Sequence, residues 1–153
     1  MSENRILPVI HSLATSEVSD WTVLIVDDEP DNRIIAEKVL SFNGATVVTA
    51  ENGVQGIAIL EMTSPSFILL DLSMPEMDGW EMLKRMRADS RWSAIPAIAL
   101  TAHAMVGDRE RVMEAGFDGY IAKPFRLMTF FKEIQDCLRQ VLEARRTRSE
   151  NAS

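Results

Sequence analysis

Short apolar runs alternate with longer segments of helical periodicity from Trp21 onward, and the alternation occurs five times. This pattern is typical of an α/β fold in which helices cover both faces of a parallel sheet. The runs are near-continuously apolar rather than alternating, as expected for strands that are buried on both faces. The predicted strands are Thr22–Val26, Ala45–Thr49, Ser66–Leu70, Ala94–Leu100 and Asp118–Ala122.

The first predicted helix begins near Pro30, a residue suited to a first helical turn, and ends at Asn43–Gly44. Its apolar residues are expected to face the sheet; these are Ile34, Ile35, Val39 and Phe42. The other helices are predicted to span Gly53–Met62, Gly79–Arg87, Met105–Ala115 (with Gly116 as its end signal) and Arg126–Arg145.

Acidic residues follow two of the predicted strands. Asp27 and Asp28 come directly after the first strand, and Asp71 comes directly after the third. The carboxyl ends of strands in such a sheet meet at one edge, where these folds build their sites. Crowded carboxylates raise one another's pKa unless a cation joins them, so the pattern predicts a hard divalent metal, and we expect Mg²⁺.

A hydroxyl and an ammonium group join the acids at this edge. Thr101 ends the fourth strand, and Lys123 follows the fifth. A carboxylate nucleophile, a metal, a hydroxyl donor and a lysine are together the groups needed to accept and hold a phosphoryl group.

Four motifs in this order make the chain similar to the receiver domains of two-component response regulators, of the stand-alone, chemotaxis-regulator-like kind. The motifs are Val26–Glu29, Leu70–Gly79, Ala99–Ala102 and Tyr120–Phe125, and the resemblance extends over Thr22–Leu142. It implies a flavodoxin-like doubly wound (βα)5 fold with a five-stranded parallel sheet of order 2-1-3-4-5.

The resemblance also implies a role for each residue at the edge. Asp71 would be the phospho-acceptor, Asp28 a direct Mg²⁺ ligand and Asp27 a ligand through water. Thr101 and Lys123 would stabilise charge on the phosphoryl group. Three further residues take implied roles: the Ser73 backbone carbonyl as a metal ligand, Tyr120 as the aromatic switch paired with Thr101, and Pro124 as a cis-proline.

Two positions, one two residues after Asp71 and one two residues after Thr101, leave the lifetime of the phosphoryl group open. Ser73 and His103 match positions that tend to set this lifetime, and the family often has Asn at the first of them. Gly79 is expected to give the loop after Asp71 freedom to turn.

The resemblance implies a single-domain response regulator that takes a phosphoryl group from a histidine kinase or a histidine phosphotransfer protein. The chain would signal through a protein output partner of unknown identity, and it would not be an enzyme apart from Mg²⁺-dependent self-phosphorylation and self-dephosphorylation. A homodimer through the fourth helix, fifth strand and fifth helix is a further expectation. A receiver fragment or phosphorelay shuttle of a hybrid kinase system is an alternative.

Two other classes of protein fit the residues less well. An aspartate-nucleophile phosphatase normally has an acid two residues after its nucleophile, where this chain has Ser73. A nucleotide or flavin carrier would need a glycine-rich loop after a strand, which the sequence lacks, and Asp27, Asp28 and Glu29 would repel a phosphate.

Length, charge and cysteine content limit the domain organisation, the binding partners and the cellular compartment that we expect. The 153 residues are expected to form one receiver domain, 21–143, with a loosely ordered N-terminal extension, 1–20, and a C-terminal tail, 144–153. A net charge of −7 argues against direct nucleic-acid binding. No apolar stretch is long enough for membrane insertion, and a single cysteine, Cys137, suits a reducing, cytoplasmic setting as a core residue.

Overall fold

The computed structural model describes residues 18–102 and 108–152. The strands are β1 (Thr22–Val26), β2 (Thr46–Ala50), β3 (Phe67–Asp71), β4 (Ala97–Thr101) and β5 (Gly119–Ala122). The helices are α1 (Pro30–Phe42), α2 (Gly53–Leu60), α3 (Gly79–Ala88), α4 (Asp108–Glu114) and α5 (Phe130–Ala152), and a short 3₁₀ turn, Val18–Asp20, precedes β1. His103 and the predicted start of the fourth helix at Met105 lie outside the described residues, as do residues 1–17 of the predicted extension.

All five strands are parallel and pair in the order β2-β1-β3-β4-β5, so the predicted fold class is confirmed. Strands β3 and β4 lie in the interior of the sheet, and every residue of both is buried. The register places Val26 opposite Leu70 and Asp71 opposite Leu100. The carboxyl ends of β1, β3 and β4 therefore lie side by side.

Two apolar clusters cover the two faces of the sheet. On one face, α1 and α5 pack against strand residues such as Ile25 and Leu69. On the other face, residues of α2, α3 and α4 pack against Leu24 and Leu70. Neighbouring strand residues point to opposite faces, so each apolar strand contributes to both clusters.

Two of the four residues predicted to lie on the inner face of α1 are instead solvent-exposed. Phe42 is 91% exposed and Ile34 is 48% exposed. The buried face of α1 is formed by Ala36, Val39 and Leu40. Ile34 lies two residues before Ala36, and Phe42 lies two residues after Leu40. Two residues correspond to about 200° around a helix, which turns both side chains away from the sheet.

The fourth strand and the last helix also differ from the predicted bounds. Strand β4 begins at Ala97 rather than Ala94, because a turn closed by the Ile95 N–H to the Trp92 carbonyl (3.1 Å) precedes it and Pro96 has no N–H to donate. Helix α5 begins at Phe130 rather than Arg126 and continues through residues 144–152, which the sequence assigns to a tail.

The predicted end signals of two helices are confirmed. Gly44 follows α1 with a φ of 101°, and Gly116 follows α4 with a φ of 107°. Such left-handed conformations favour glycine because it has no Cβ. No helix in the described ranges combines the length and the apolar character that crossing a membrane requires.

Candidate functional site

Three carboxylates meet at the carboxyl edge of the sheet. Asp27 follows β1, Asp71 is the last residue of β3, and Asp28 stands beside Asp27 at the start of the loop to α1. Each offers an oxygen to a cluster whose atoms all lie within 4.8 Å of one another. Asp27 and Asp71 are buried, whereas Asp28 is exposed. The acids predicted from the ends of the strands are therefore brought together.

Lys123 reaches this cluster from the end of β5. Its Nζ lies 2.9 Å from Asp27 Oδ2 and 3.3 Å from Asp71 Oδ1. Burial by itself lowers the pKa of Lys123, but the hydrogen bond and charge of Asp27, together with Asp71, raise it above its usual value. Lys123 is thus a charged ammonium group shared between two acids.

Asp71 holds its proton unusually tightly in the metal-free protein. Its pKa is raised to about 7 by burial, by the negative charge of Asp27 and by the contact with the Asp28 carboxyl. The positive charge of Lys123 and a hydrogen bond from the Ser73 N–H act in the opposite direction and lower the pKa. Such a carboxyl is crowded by like charges, and a cation beside it would relieve the repulsion.

The donor set fits a divalent metal ion. Three carboxylates and one ammonium leave two formal negative charges at the edge of the sheet, the charge that one divalent cation would balance. Carboxylate oxygens are ligands that Mg²⁺ prefers, and the exposed Asp28 leaves one side open to solvent for the waters that Mg²⁺ retains.

Backbone groups hold the acids in place. The Glu29 N–H donates to Asp27 Oδ1 at 2.9 Å, and the Ser73 N–H donates to Asp71 Oδ1 at 3.2 Å. Arg33 Nη1 donates to the Asp27 carbonyl at 2.7 Å. Arg33 is not predicted as part of the site, and Glu29 is predicted only as a member of the Val26–Glu29 motif. The only signal for Arg33 in the sequence is a basic residue one turn into the helix that follows the acids.

Comparison with known proteins identifies this arrangement. The model of the response regulator receiver domain family matches residues 23–135, which is more than half of the chain. The chain belongs to the response regulator receiver domain family.

Two members of the family illustrate how much of a relative the chain matches. The polar-differentiation response regulator DivK of Brucella anthropi is 32% identical over 117 residues, which is 76% of this chain and 95% of that protein. A probable transcriptional regulator, ycf27 of Cyanophora paradoxa, is 37% identical over 124 residues, 81% of this chain but only 51% of that protein. The chain thus spans about half of some relatives.

A solved structure adds a metal to the comparison. The receiver domain of a sensor histidine kinase of Pseudomonas aeruginosa, with a magnesium ion coordinated in its active-site cleft, is 33% identical with a TM-score of 0.69. The similarity covers 77% of this chain and 97% of that one. The acidic edge of the present receiver domain is compatible with binding the same ion.

A cleft of about 220 Å³ opens beside Asp71 in this receiver domain, and part of its wall is not predicted from the sequence. Trp80 is half-buried, packs against the core and lines the cleft, with its ring edge-on to Phe117. Arg111 of α4 also lines the cleft, and its guanidinium lies 5.8 Å from the centre of the Trp80 ring. An aromatic and a basic side chain thus stand close to the acids.

Gly79 has a different role from the one predicted. A Cβ at Gly79 would overlap the backbone carbonyl oxygen of Asp71, and the Gly79 N–H donates to the Leu72 carbonyl at 3.2 Å. The first turn of α3 therefore packs directly on the end of β3. The absence of a side chain permits this close approach, and no unusual backbone angle at Gly79 is involved.

The remaining predicted residues lie around the same edge. Thr101 is the buried last residue of β4, and its carbonyl accepts from the Lys123 N–H at 2.8 Å. Tyr120 is half-buried in β5, pairs with Ala99 and packs against the cluster formed with α2, α3 and α4. The Lys123–Pro124 peptide bond is cis.

Proposed function

We propose that the chain accepts a phosphoryl group on Asp71 in the presence of Mg²⁺. The single observation that carries this proposal is the meeting of the three acids at one strand edge, with the Lys123 ammonium within 3.3 Å of both Asp27 and Asp71. Membership of the receiver family supports it, because receiver domains are signalling modules of two-component systems.

The transfer is a substitution at phosphorus. An oxygen of the Asp71 carboxylate attacks the phosphoryl group of a phosphohistidine, the P–O bond forms as the P–N bond breaks, and the imidazole leaves with the electron pair and takes a proton. Asp71 must be unprotonated to attack, and the ammonium of Lys123 favours that form. When bound, Mg²⁺ would neutralise charge on the transferring oxygens.

We also propose the roles that the resemblance to receiver domains implies for the surrounding residues. We assign direct coordination of the metal to Asp28 and Asp71, coordination through water to Asp27, and a further ligand to the Ser73 carbonyl. The Thr101 hydroxyl and the Lys123 ammonium would then stabilise the phosphoryl oxygens, as preorganised donors do for developing charge.

The proposed donor is a histidine kinase or a histidine phosphotransfer protein. Receiver domains of this family occur within sensor kinases, of which the Pseudomonas aeruginosa domain is one. Signalling would pass through a surface that includes α4, β5 and α5, by coupled movement of Thr101 and Tyr120, and a homodimer through this surface is part of the proposal. Residues 103–107 lie outside the described ranges.

Phosphorylation itself is the test of the site. Intact protein is incubated with Mg²⁺ and a small phosphodonor such as acetyl phosphate, and the gain of one phosphoryl group is read by mass spectrometry. We expect labelling of the wild type and of the matched control Asp20→Asn, which removes one exposed charge away from the acidic edge. Asp71→Asn should remove the label, and full, acid-stable labelling of this variant would contradict the assignment.

A Mg²⁺ titration distinguishes the proposed roles of Asp27 and Asp28 in metal binding. Asp28→Ala should lose most of the Mg²⁺ affinity because it removes a direct ligand, whereas Asp27→Ala should lose less if it acts through water. Equal affinity of Asp28→Ala and the wild type would end the metal assignment.

The coupled movement of Thr101 and Tyr120 is tested by comparing amide NMR spectra with and without beryllium fluoride, a phosphoryl mimic. In the wild type we expect chemical-shift changes that extend from Asp71 to residues 119–131. In Thr101→Ala we expect the changes to reach fewer of these residues. Changes confined to the cleft in the wild type would leave the chain as a carrier of phosphoryl groups without a switched surface.

A further inference from the structure

A second cavity lies at the opposite end of the sheet from the acidic edge. It has a volume of about 610 Å³, which is within the range of small-molecule sites. The end of α2, the loop after α3, the segments that lead into β3 and β4, and Arg145 of α5 line it. This cavity shares no lining residue with the acidic cleft.

Arg145 lines this cavity and carries a hydrogen-bond donor that is not used in the part of the chain that the structure describes. Its Nη2 donates to the Ala94 carbonyl at 2.7 Å. Its Nη1 is buried and has no hydrogen-bond partner within the described ranges. A buried donor without a partner is costly, and a guanidinium stays charged in proteins. Arg145 therefore combines a cation that lines the cavity with the buried, unpaired Nη1.

The neighbouring arginines are already paired. Arg87 Nη2 lies 3.0 Å from Asp118, and Arg91 is paired with Glu61 and Asp89, each at 2.8 Å. No such ion pair joins Arg145 to an acid in the part of the chain that the structure describes. Arg145 is thus the cation that can take an incoming anion without giving up a protein carboxylate.

The rest of the wall combines apolar residues with Ser64, Ser66 and the ion pair of Arg91 with Glu61. Trp92 is only 7% exposed, and the Arg91 guanidinium lies 4.4 Å from the centre of its ring. Leu60, Pro65 and Ile95 complete the apolar lining. A bare inorganic ion would leave this surface uncovered, whereas an apolar body attached to an anionic group would use both parts of the wall.

We propose that this cavity binds a small organic anion, an aromatic carboxylate whose carboxylate pairs with the Arg145 guanidinium and whose ring contacts the apolar wall around Trp92. Nothing in this proposal depends on phosphorylation of Asp71.

The probe for this site is 2-naphthoate, titrated into the full chain labelled with ¹⁵N. We expect saturable shifts of the Trp92 indole N–H and the Ala94 amide, with a dissociation constant of about 1 mM or below. Signals of Asp71 and Ser73 should stay in place. The neutral 2-naphthamide, which has nearly the same shape, should bind at least about tenfold more weakly, and inorganic phosphate should produce no saturable shift at Trp92.

Three variants locate the contact. Arg145→Gln should weaken 2-naphthoate binding about tenfold or more, equivalent to about 1.4 kcal/mol. Arg148→Gln removes the same formal charge from an exposed position of the same helix and should change the affinity by less than about twofold. Ala94→Leu keeps Arg145, fills part of the cavity and should abolish binding, which gives an independent test if Arg145→Gln does not fold.

Four results would overturn the proposal. Equal binding of 2-naphthoate and 2-naphthamide would show that the site does not recognise the negative charge of the ligand. Equal losses of affinity in Arg145→Gln and Arg148→Gln would show that the affinity depends only on the net charge of the protein. Full binding by Ala94→Leu would place the ligand elsewhere. Absence of any shift at Trp92 would mean that the cavity holds water rather than an organic anion.

Discussion

Replacing Asp71 by Asn should stabilise the metal-free protein at pH values above neutrality. Burial and the charge of Asp27 raise the pKa of Asp71 from 3.8 to about 7 in the folded protein. A raised pKa means that the folded state binds the proton more tightly than the unfolded chain does. Its favourable contribution is complete below the unfolded pKa and is lost as the pH rises through about 7.

The size of this effect follows from the size of the shift. A difference of about 3 pKa units corresponds to at most about 4 kcal/mol between acidic and alkaline pH. The cleft beside Asp71 is open to solvent, which screens the repulsion, so we expect about half of this value, ~2 kcal/mol. For a protein of this size, that is a rise in melting temperature of about 4–8 °C.

The assay is thermal unfolding in the presence of a chelator at about pH 4 and about pH 8.5, on either side of the transition. Asp71→Asn should melt well above the wild type at the higher pH, and the gap should be much smaller at the lower pH. Asp20→Asn, which removes an exposed carboxylate, should show no such difference. Added Mg²⁺ should stabilise the wild type more than Asp71→Asn. A gap that is equal at both pH values would refute the reasoning, because it could not come from ionisation of Asp71.

Three further predictions concern residues around the sheet. Gly79→Ala should lower the free energy of unfolding by about 1–3 kcal/mol in denaturant titration and slow phosphorylation, because its Cβ must displace the end of β3. Asp118→Ala should cost about 2–4 kcal/mol by removing the carboxylate that pairs with the largely buried Arg87, while Asp136→Ala, which breaks an exposed pair, should cost less than about 1 kcal/mol. Burial raises the pKa of the Cys137 thiol to about 11, so iodoacetamide at mildly alkaline pH should alkylate the folded protein far more slowly than the urea-unfolded chain. Similar rates in the two states would contradict the buried position of Cys137.

The strands and the acidic edge could be predicted because each depends on a local pattern. Apolar runs such as Phe67–Leu70 have the length and composition of buried strands, and the parallel topology then brings the residues that follow them to one edge. The position of Asp71 beside Asp27 is a consequence of strand order and register, which the resemblance to receiver domains supplied. The core position predicted for Cys137 from the apolar residues around it is also confirmed.

Long basic side chains could not be placed from the sequence. Arg33 and Arg145 donate to backbone carbonyl groups, those of Asp27 and Ala94. Every residue offers a carbonyl, so no residue type marks the acceptor, and a flexible side chain can reach many of them. The role of Gly79 was missed for a related reason. A close approach between two backbones depends on how α3 packs on β3, and the sequence shows only that a glycine is present.

The position of Lys123 connects the proposed chemistry to the proposed surface. In the unphosphorylated protein its ammonium is shared between Asp27 at 2.9 Å and Asp71 at 3.3 Å. A phosphoryl group on Asp71 would add roughly two negative charges and strong acceptor oxygens on one side of this pair. The ammonium should then move toward the phosphoryl group and away from Asp27. Lys123 directly follows β5, and its backbone N–H donates to the Thr101 carbonyl. A shift of its side chain therefore acts on the same two strand ends that carry Thr101 and Tyr120, which is the physical reason to expect the change to spread from the cleft to the face of β5.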